Sequence, residues 1–286
     1  MMSTPVAPFS YLSTLWVQLT GTWCNLQCVH CINASGPKDP WLKSLDTETV
    51  KHFIREAETF GVKEIYLTGG EPFLHEDIIE LLAFALQVAP TTILTNGTMI
   101  NDTVADALSA LARQAPYSFE IRVSVDDLDP ERNDRLRGKG AWTKAIRAIQ
   151  LLHARGLLPI LTATEPMHES PSEQRSLYTG FRDFLLSLGI AKPRVKIIPV
   201  FPIGRMAVAG GPVLTNVMLK GFDFSLLQCS ETRVLAAGGI YSCPILAGLT
   251  EACLSEERLQ DSFKPCRLYH PACVTCYHTG MTCKNF

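Results

Sequence analysis

The sequence has no block of like charge. Lysine and arginine total 26 against 28 aspartates and glutamates, a formal net charge of -2 over 286 residues. Binding along a nucleic-acid backbone rests on clustered cations, so nucleic acid is excluded as a main partner. There is no internal repeat and no low-complexity stretch, which excludes repeat arrays and long disordered linkers. No apolar run reaches membrane-spanning length. No charged n-region with an apolar h-region precedes the first cysteines, so no signal peptide is recognisable. Both absences point to the cytoplasm, where disulfides are rare and thiols are free to ligate metals. With 47% hydrophobic residues the chain can bury one sizeable core and a small extension.

Against these absences stand ten cysteines. Three lie in Cys24-Asn-Leu-Gln-Cys28-Val-His-Cys31, directly after the apolar run Leu15-Trp-Val-Gln-Leu19. Three thiolates on one short loop can take three corners of a [4Fe–4S] cube and leave the fourth iron without a protein ligand. An unfilled metal position is where a substrate or cosubstrate binds. A zinc knuckle or a redox-active thiol group shares the spacing.

Apolar, β-rich runs near 15–20, 64–68, 91–95, 119–125, 158–163 and 195–200 alternate with helical-period stretches near 46–60, 75–88, 102–114, 141–155 and 172–188. Asp46 is placed to cap the first helix. This alternation predicts parallel βαβ units with right-handed crossovers, arranged as an open partial barrel or as a doubly wound sheet. The unusual residues gather at one place, the carboxyl ends of the strands. Thr68-Gly69-Gly70-Glu71-Pro72 ends the second strand and Thr95-Asn96-Gly97 the third. Ser124 and Asp126 end the fourth, and Pro202-Ile-Gly204-Arg205 follows the sixth. In β/α barrels that rim carries the reacting centre.

The cysteine motif after a first strand, with Gly69-Gly70-Glu71-Pro72 at the end of the second, resembles the radical S-adenosylmethionine (radical SAM) superfamily. The resemblance implies an α/β fold, a partial (β/α)6 TIM-like barrel, with a small cysteine-rich carboxyl-terminal extension. It implies a [4Fe–4S] cluster on Cys24, Cys28 and Cys31 whose open iron is chelated by S-adenosylmethionine. Gly69 and Gly70 let backbone approach a ligand closely because no Cβ intervenes. In the family they lie, with Glu71, along the methionine amino group. Ser124 and Asp126 match the ribose position, and Asn96 is carried over with them, although Asn-Gly is first of all a turn signal. His30 stands where many relatives carry an aromatic residue against adenine. Arg137, in Arg135-Leu-Arg137-Gly138, matches an arginine that meets the cosubstrate carboxylate; a solvated basic face is the plainer reading.

The other seven cysteines all follow residue 228. Gly238-Gly239 suits a tight hairpin turn that would bring Cys229 and Cys243 together. Cys273-Val-Thr-Cys276 is a C-x2-C pair. This layout resembles the SPASM/twitch extension of radical SAM enzymes, which implies an auxiliary [4Fe–4S] cluster on Cys229, Cys243, Cys273 and Cys276. Cys253, Cys266 and Cys283 remain as further ligands or as buried apolar residues. A zinc site is the other reading of the C-x2-C pair. The expected boundary is Ala209-Gly-Gly-Pro212, with a core of 1–212 and an auxiliary cluster domain of 213–286.

The expected activity is reductive cleavage of S-adenosylmethionine to a 5′-deoxyadenosyl radical, followed by hydrogen abstraction from a substrate. A flavodoxin or ferredoxin is the expected electron donor. Glu120, Arg122, Asp127, Glu165, His168 and Arg205 are candidates to face the substrate, with no spacing that assigns an acid–base role. One expectation is oxidation or related modification of a small molecule, favoured because only about fourteen residues precede the first strand, too few for a leader-peptide module. The alternative is a maturase that crosslinks or oxidises a ribosomal peptide or protein. A third class is a zinc protein without radical chemistry.

Overall fold

The computed structural model describes residues 4–38, 40–165 and 171–280, without the side chains of 171–175. Expected elements at His168 and Cys283 lie outside the described residues.

In chain order the elements are β1 (Val6–Ala7), β2 (Thr14–Gln18), α1 (Thr47–Thr59), β3 (Glu64–Thr68), α2 (Ile78–Val88), β4 (Thr91–Thr95), α3 (Asp102–Gln114) and β5 (Phe119–Ser124). Then follow α4 (Pro130–Arg137), α5 (Ala141–Ala154), β6 (Ile160–Glu165), α6 (Pro171–Ser187) and β7 (Arg194–Pro199). The tail adds β8 (Thr232–Ala236), β9 (Gly239–Tyr241), β10 (Cys253–Ser255), β11 (Cys266–Arg267) and α7 (Pro271–Thr279). Asp46 caps α1 as expected, accepting from Thr49 N at 2.8 Å.

Strands β2 to β7 are parallel neighbours in sequential order, the topology of a partial barrel rather than of a doubly wound sheet, whose strand order reverses. The pleat divides the side chains. Leu15, Val17, Ile65, Leu67, Ile93, Ile121, Val123, Leu161 and Ala163 face the helices and form one buried core with α1, α2, α3 and α5. Each fully buried leucine or isoleucine there contributes roughly 1.5–3 kcal/mol. Residues of the other parity point into the barrel, where the Trp16 and Tyr66 rings stack at 4.3 Å.

Two helices, α4 and α7, were not expected, and α4 shows the reason. Its sequence, PERNDRLR, has no apolar stripe, so hydrophobic periodicity is silent there. Its start signals are local: Asp129 caps Arg132 N at 2.8 Å, and Pro130 holds the first helical position.

The tail continues the barrel sheet. Strand β8 pairs in parallel with β2, then β9 and β10 follow antiparallel. The Gly238-Gly239 turn joins β8 to β9, with Ala236 opposite Gly239. Strand β11 pairs with β1, and a second core containing Trp16, Tyr66, Val234, Ile245 and Leu268 joins barrel interior to tail.

Candidate active site

The cysteine loop leaves β2 and closes on itself. Trp23 bridges Gly36, Cys24 N donates to Gly36 O at 3.1 Å, and Gly36 N donates to Thr22 O at 3.1 Å. The loop leans on the end of α4, where Val29 N donates to Leu136 O at 2.9 Å. Arg205 braces it from the far side. Its guanidinium donates to the carbonyls of Cys28 at 2.8 Å, Ala34 at 3.0 Å and Ser35 at 2.5 Å. Gly204, with φ of 63°, lies so close beneath that a Cβ would overlap the carbonyls of Cys31 and Ile32.

The three thiols face one cavity of about 220 Å³, open to solvent, together with His30, Gly69, Gly70, Asn96, Ser124 and Arg137. Two of the sulfurs receive amide donors, Leu26 N to Cys24 Sγ at 3.4 Å, Asn96 Nδ2 to Cys24 Sγ at 3.7 Å and Ser35 N to Cys31 Sγ at 3.3 Å, while Cys28 Sγ donates to Arg137 O at 3.8 Å. Hydrogen bonds to sulfur are a means by which proteins tune iron–sulfur centres. Burial pushes the Cys24 thiol up to about 12, and burial also raises Cys28 although Arg137 opposes it. Such thiols give up their protons to a metal rather than to water. Among the described residues no three His, Cys, Asp or Glu side chains converge closely enough for a single metal ion. Ligands of a cluster bind different irons and so stand further apart. The donor set and the open cavity fit a cubane with one free corner.

Two residues expected to touch the cosubstrate stand behind the wall instead. Glu71 is fully buried; its carboxylate accepts from Thr95 Oγ1 at 2.7 Å, Asn96 N at 2.7 Å and Phe73 N at 3.2 Å. It ties the end of β3 to the end of β4 and orients Asn96. Burial raises this carboxyl to about 7, against those three donors. Asp126 lies beyond β5, so the strand alternation that would pair it with Ser124 has ended. Its carboxylate meets His30 Nε2 at 3.1 Å and Arg137 Nε at 2.6 Å, and accepts from Thr164 N at 2.9 Å. Burial would raise it, but Arg137 and His30 overcome that and hold it below the usual carboxylate range. Asp126 thus positions His30 and Arg137, which do line the cavity.

The Gly69-Gly70 pair makes a second unforeseen contact. A Cβ on Gly69 would overlap Thr20, and one on Gly70 would overlap the Trp23 carbonyl. The close approach they permit is to the chain's own cysteine loop as well as to the cavity.

None of the described substrate-facing candidates lines this cavity. Glu120 sits at the amino end of β5, the opposite end of the barrel, and pairs with Arg194. Arg122 is buried one layer below Ser124, over the Tyr66 ring at 5.1 Å. Asp127 holds Arg132 at 2.9 Å and the Asp129 amide at 2.8 Å, fixing the start of α4. Glu165 is buried at the end of β6. Arg205 braces the cysteine loop, as above. Sequence reasoning missed Gln18 and Thr164 and gave no role to Thr68 and Thr95 of the rim motifs, and all four line the cavity. Thr68 and Gln18 end β3 and β2, so counting parity back from the rim motifs would have found them.

In the tail, Cys229, Cys243, Cys273 and Cys276 surround a 30 Å³ pocket with Leu227, Ile245, Leu246 and Leu268. That space is far smaller than the cavity at the front thiols and is walled by thiols and apolar side chains. Cys266 adjoins this set as a hydrogen-bond partner of Cys229. Burial pushes Cys243 up to about 12 and Cys273 up to about 11. In the Cys229–Cys266 pair, Cys229 donates, which raises Cys229 and lowers Cys266. Cys253 stands apart, its sulfur near the carbonyls of Gly238 and Ser255. Ile245 lines both the tail pocket and the large cavity, so it is the partition between them.

The family model of the radical SAM superfamily matches residues 19–168. Mycofactocin maturase MftC of Mycolicibacterium smegmatis is 37% identical over 134 residues, covering 46% of this chain and 32% of the relative. The AdoMet-dependent heme synthase of Methanosarcina barkeri is 34% identical over 131 residues, 45% of this chain and 36% of the relative. The chain thus spans about a third of the length of these curated relatives. Among solved structures, Streptococcus suis SuiB bound to S-adenosylmethionine aligns with a TM-score of 0.67 at 18% identity, over 89% of this chain and 66% of SuiB. Native anSMEcpe with bound AdoMet aligns at 0.64 and 16% identity, over 87% of this chain and 80% of that one. At these identities the likeness is one of fold, and at that coverage it reaches beyond the barrel into the tail.

Proposed function

This chain belongs to the radical SAM superfamily, and on that premise we propose that it removes hydrogen from a peptide substrate and completes an oxidative modification there. When bound, the [4Fe–4S] cluster and S-adenosylmethionine supply one-electron cleavage to a 5′-deoxyadenosyl radical, which abstracts hydrogen from a substrate carbon. The chain's own residues supply everything around that chemistry. Cys24, Cys28 and Cys31 would hold the cluster. The Gly69-Gly70 backbone and Asn96 serve the methionine end, Arg137 the carboxylate, His30 the adenine and Ser124 the ribose. Glu71 and Asp126 act one step back, keeping Asn96, His30 and Arg137 in place. Trp16, Leu94, Ile198 and Phe201 give the cavity apolar walls that exclude water from a reactive intermediate.

One observation carries the oxidative reading: Ile245 lines both the cavity and the tail thiol pocket, so the two adjoin at that side chain. An auxiliary cluster on Cys229, Cys243, Cys273 and Cys276, with Cys266 beside it, would stand one side chain from the reacting substrate. It would accept the substrate's electron across that partition. The partition disfavours the other auxiliary role, in which substrate ligates an open iron. On this reading the chain divides functionally near residue 212 into a core that generates the radical and a tail that removes the electron.

A peptide substrate is supported by relatives named or solved as peptide enzymes, among them the mycofactocin maturase and SuiB bound to precursor peptide SuiA. A small-metabolite substrate is the second reading, supported by the heme synthase and by the probable GTP 3′,8-cyclase of Halobacterium salinarum. A flavodoxin or ferredoxin in the cytoplasm fits as electron source for either. The test is anaerobic incubation with S-adenosylmethionine and dithionite. Release of 5′-deoxyadenosine, stimulated by peptides encoded beside the gene and not by metabolites, is the expected result. Failure to form 5′-deoxyadenosine from iron-replete protein overturns the proposal.

A further inference from the structure

Arg233, on β8, is the largest fully buried side chain of the described residues. Its guanidinium donates to backbone carbonyls: Nε to Ser262 at 2.8 Å, Nη1 to Cys229 at 3.0 Å and Thr232 at 2.6 Å, and Nη2 to Lys264 at 2.8 Å. Its guanidinium lies over the Phe9 ring at 3.9 Å. No carboxylate among the described residues pairs with it.

A guanidinium stays charged in proteins, and burying a cation without an anion is strongly unfavourable. The ring face and the carbonyl dipoles offset only part of that. The groups near it able to carry negative charge are the thiols of Cys266, Cys229 and Cys243. They come from three separate segments, and Arg233 stitches two of these together through the carbonyl of Cys229 and those of Ser262 and of Lys264, which lies two residues before Cys266. As a mere strut, a neutral donor would serve the same carbonyls. A charge there is explained by a set of thiolates that is anionic when filled.

We propose that Arg233 is the counter-cation of the tail thiol centre, a positioning residue whose buried charge raises the potential at which that centre accepts an electron. This rests on the auxiliary-cluster reading above. Reduction adds one electron and one unit of negative charge, with no bond or proton moved, so a fixed cation beside the site favours the reduced form. Arg233 does not line the large cavity.

The experiment uses full-length protein with Cys24, Cys28 and Cys31 changed to Ala, so that only tail iron is seen. Iron and sulfide are counted after anaerobic reconstitution, and the midpoint potential is measured by EPR-monitored titration with dithionite. Arg233→Met is expected to lower the equilibrium constant for reduction about tenfold, which for a one-electron couple is 59 mV. Arg233→Lys, which keeps the charge and loses the fork, is expected to stay close to the parent. Loss of iron from Arg233→Met with retention in Arg233→Lys supports the same conclusion. Equal shifts in both variants, no shift in either, or equal loss of iron from both overturns it and leaves Arg233 a strut. A parent that holds no tail iron instead overturns the auxiliary-cluster reading itself.

Discussion

The front loop and the tail pocket both gather cysteines, and they do so in opposite ways. Cys24, Cys28 and Cys31 are neighbours on one loop, amide donors reach Cys24 and Cys31, and they face a cavity of about 220 Å³. The tail thiols come from three segments, the turn at Cys229, the loop after β9 and one face of α7, and enclose 30 Å³ with three leucines and Ile245, while Cys266 on β11 adjoins them through Cys229. A centre that must bind a cosubstrate needs a vacant direction, and three ligands on one side leave one. A centre that only exchanges electrons is best surrounded on every side, because apolar walls and fixed charges then set its potential. The comparison teaches that cysteine number says little and that the direction left open says what each site is for.

Changing any of Cys24, Cys28 or Cys31 to Ala is the harshest test. We expect 5′-deoxyadenosine formation to fall to background and about four irons per chain to be lost, with tail iron retained. A variant with unchanged turnover would end the distinction between the two sites. Cys243→Ala or Cys273→Ala should do the reverse. Tail iron falls and modified product drops about 100-fold, while 5′-deoxyadenosine still forms. Mass spectrometry of product beside chromatography of 5′-deoxyadenosine separates the two losses.

Gly204→Ala sharpens the contrast in packing. With φ of 63° and no room against the Cys31 carbonyl, it should cost about 3 kcal/mol and strip front iron preferentially. The ratio of front to tail iron, read by EPR, checks this; an unchanged ratio would show that the loop does not need its brace.

The gentlest test is pH. The Glu71 carboxyl is raised by burial to about 7 from its ordinary 4.5. Between those values the folded chain binds more protons than the unfolded one, so its contribution is fully present below pH 4.5 and is lost as pH rises towards 7. At about 1.4 kcal/mol per unit this is about 3 kcal/mol across the window. Glu71→Gln should remove that slope in urea midpoints measured at pH 5 and pH 7, and an unchanged slope would place its origin elsewhere.

Much of this was legible in one dimension. The six barrel strands and five of the helices follow from apolar period and turn residues, because a strand or helix must bury one face wherever it ends up. α4 and α7 escaped; α4 is fixed by its cap and proline and by Asp134 rather than by an apolar stripe. Among site residues, the cysteines, His30, Gly69, Gly70, Asn96, Ser124 and Arg137 reach the cavity. Glu71 and Asp126 sit in the right motifs with their carboxylates turned into the wall. Type and spacing do not say which partner a buried carboxylate takes.

The sequence by itself determined the chemistry, through three thiols at fixed spacing on one loop and glycines where backbone must come close. Those are local facts, set by covalent spacing and by the missing Cβ. Only the tertiary structure decided that Arg205 braces the loop from 174 residues beyond Cys31, that Cys266 adjoins Cys229, and that Ile245 divides two cavities. Such contacts join segments far apart in the chain. They exist only once β8 has docked beside β2 and brought the tail across the barrel.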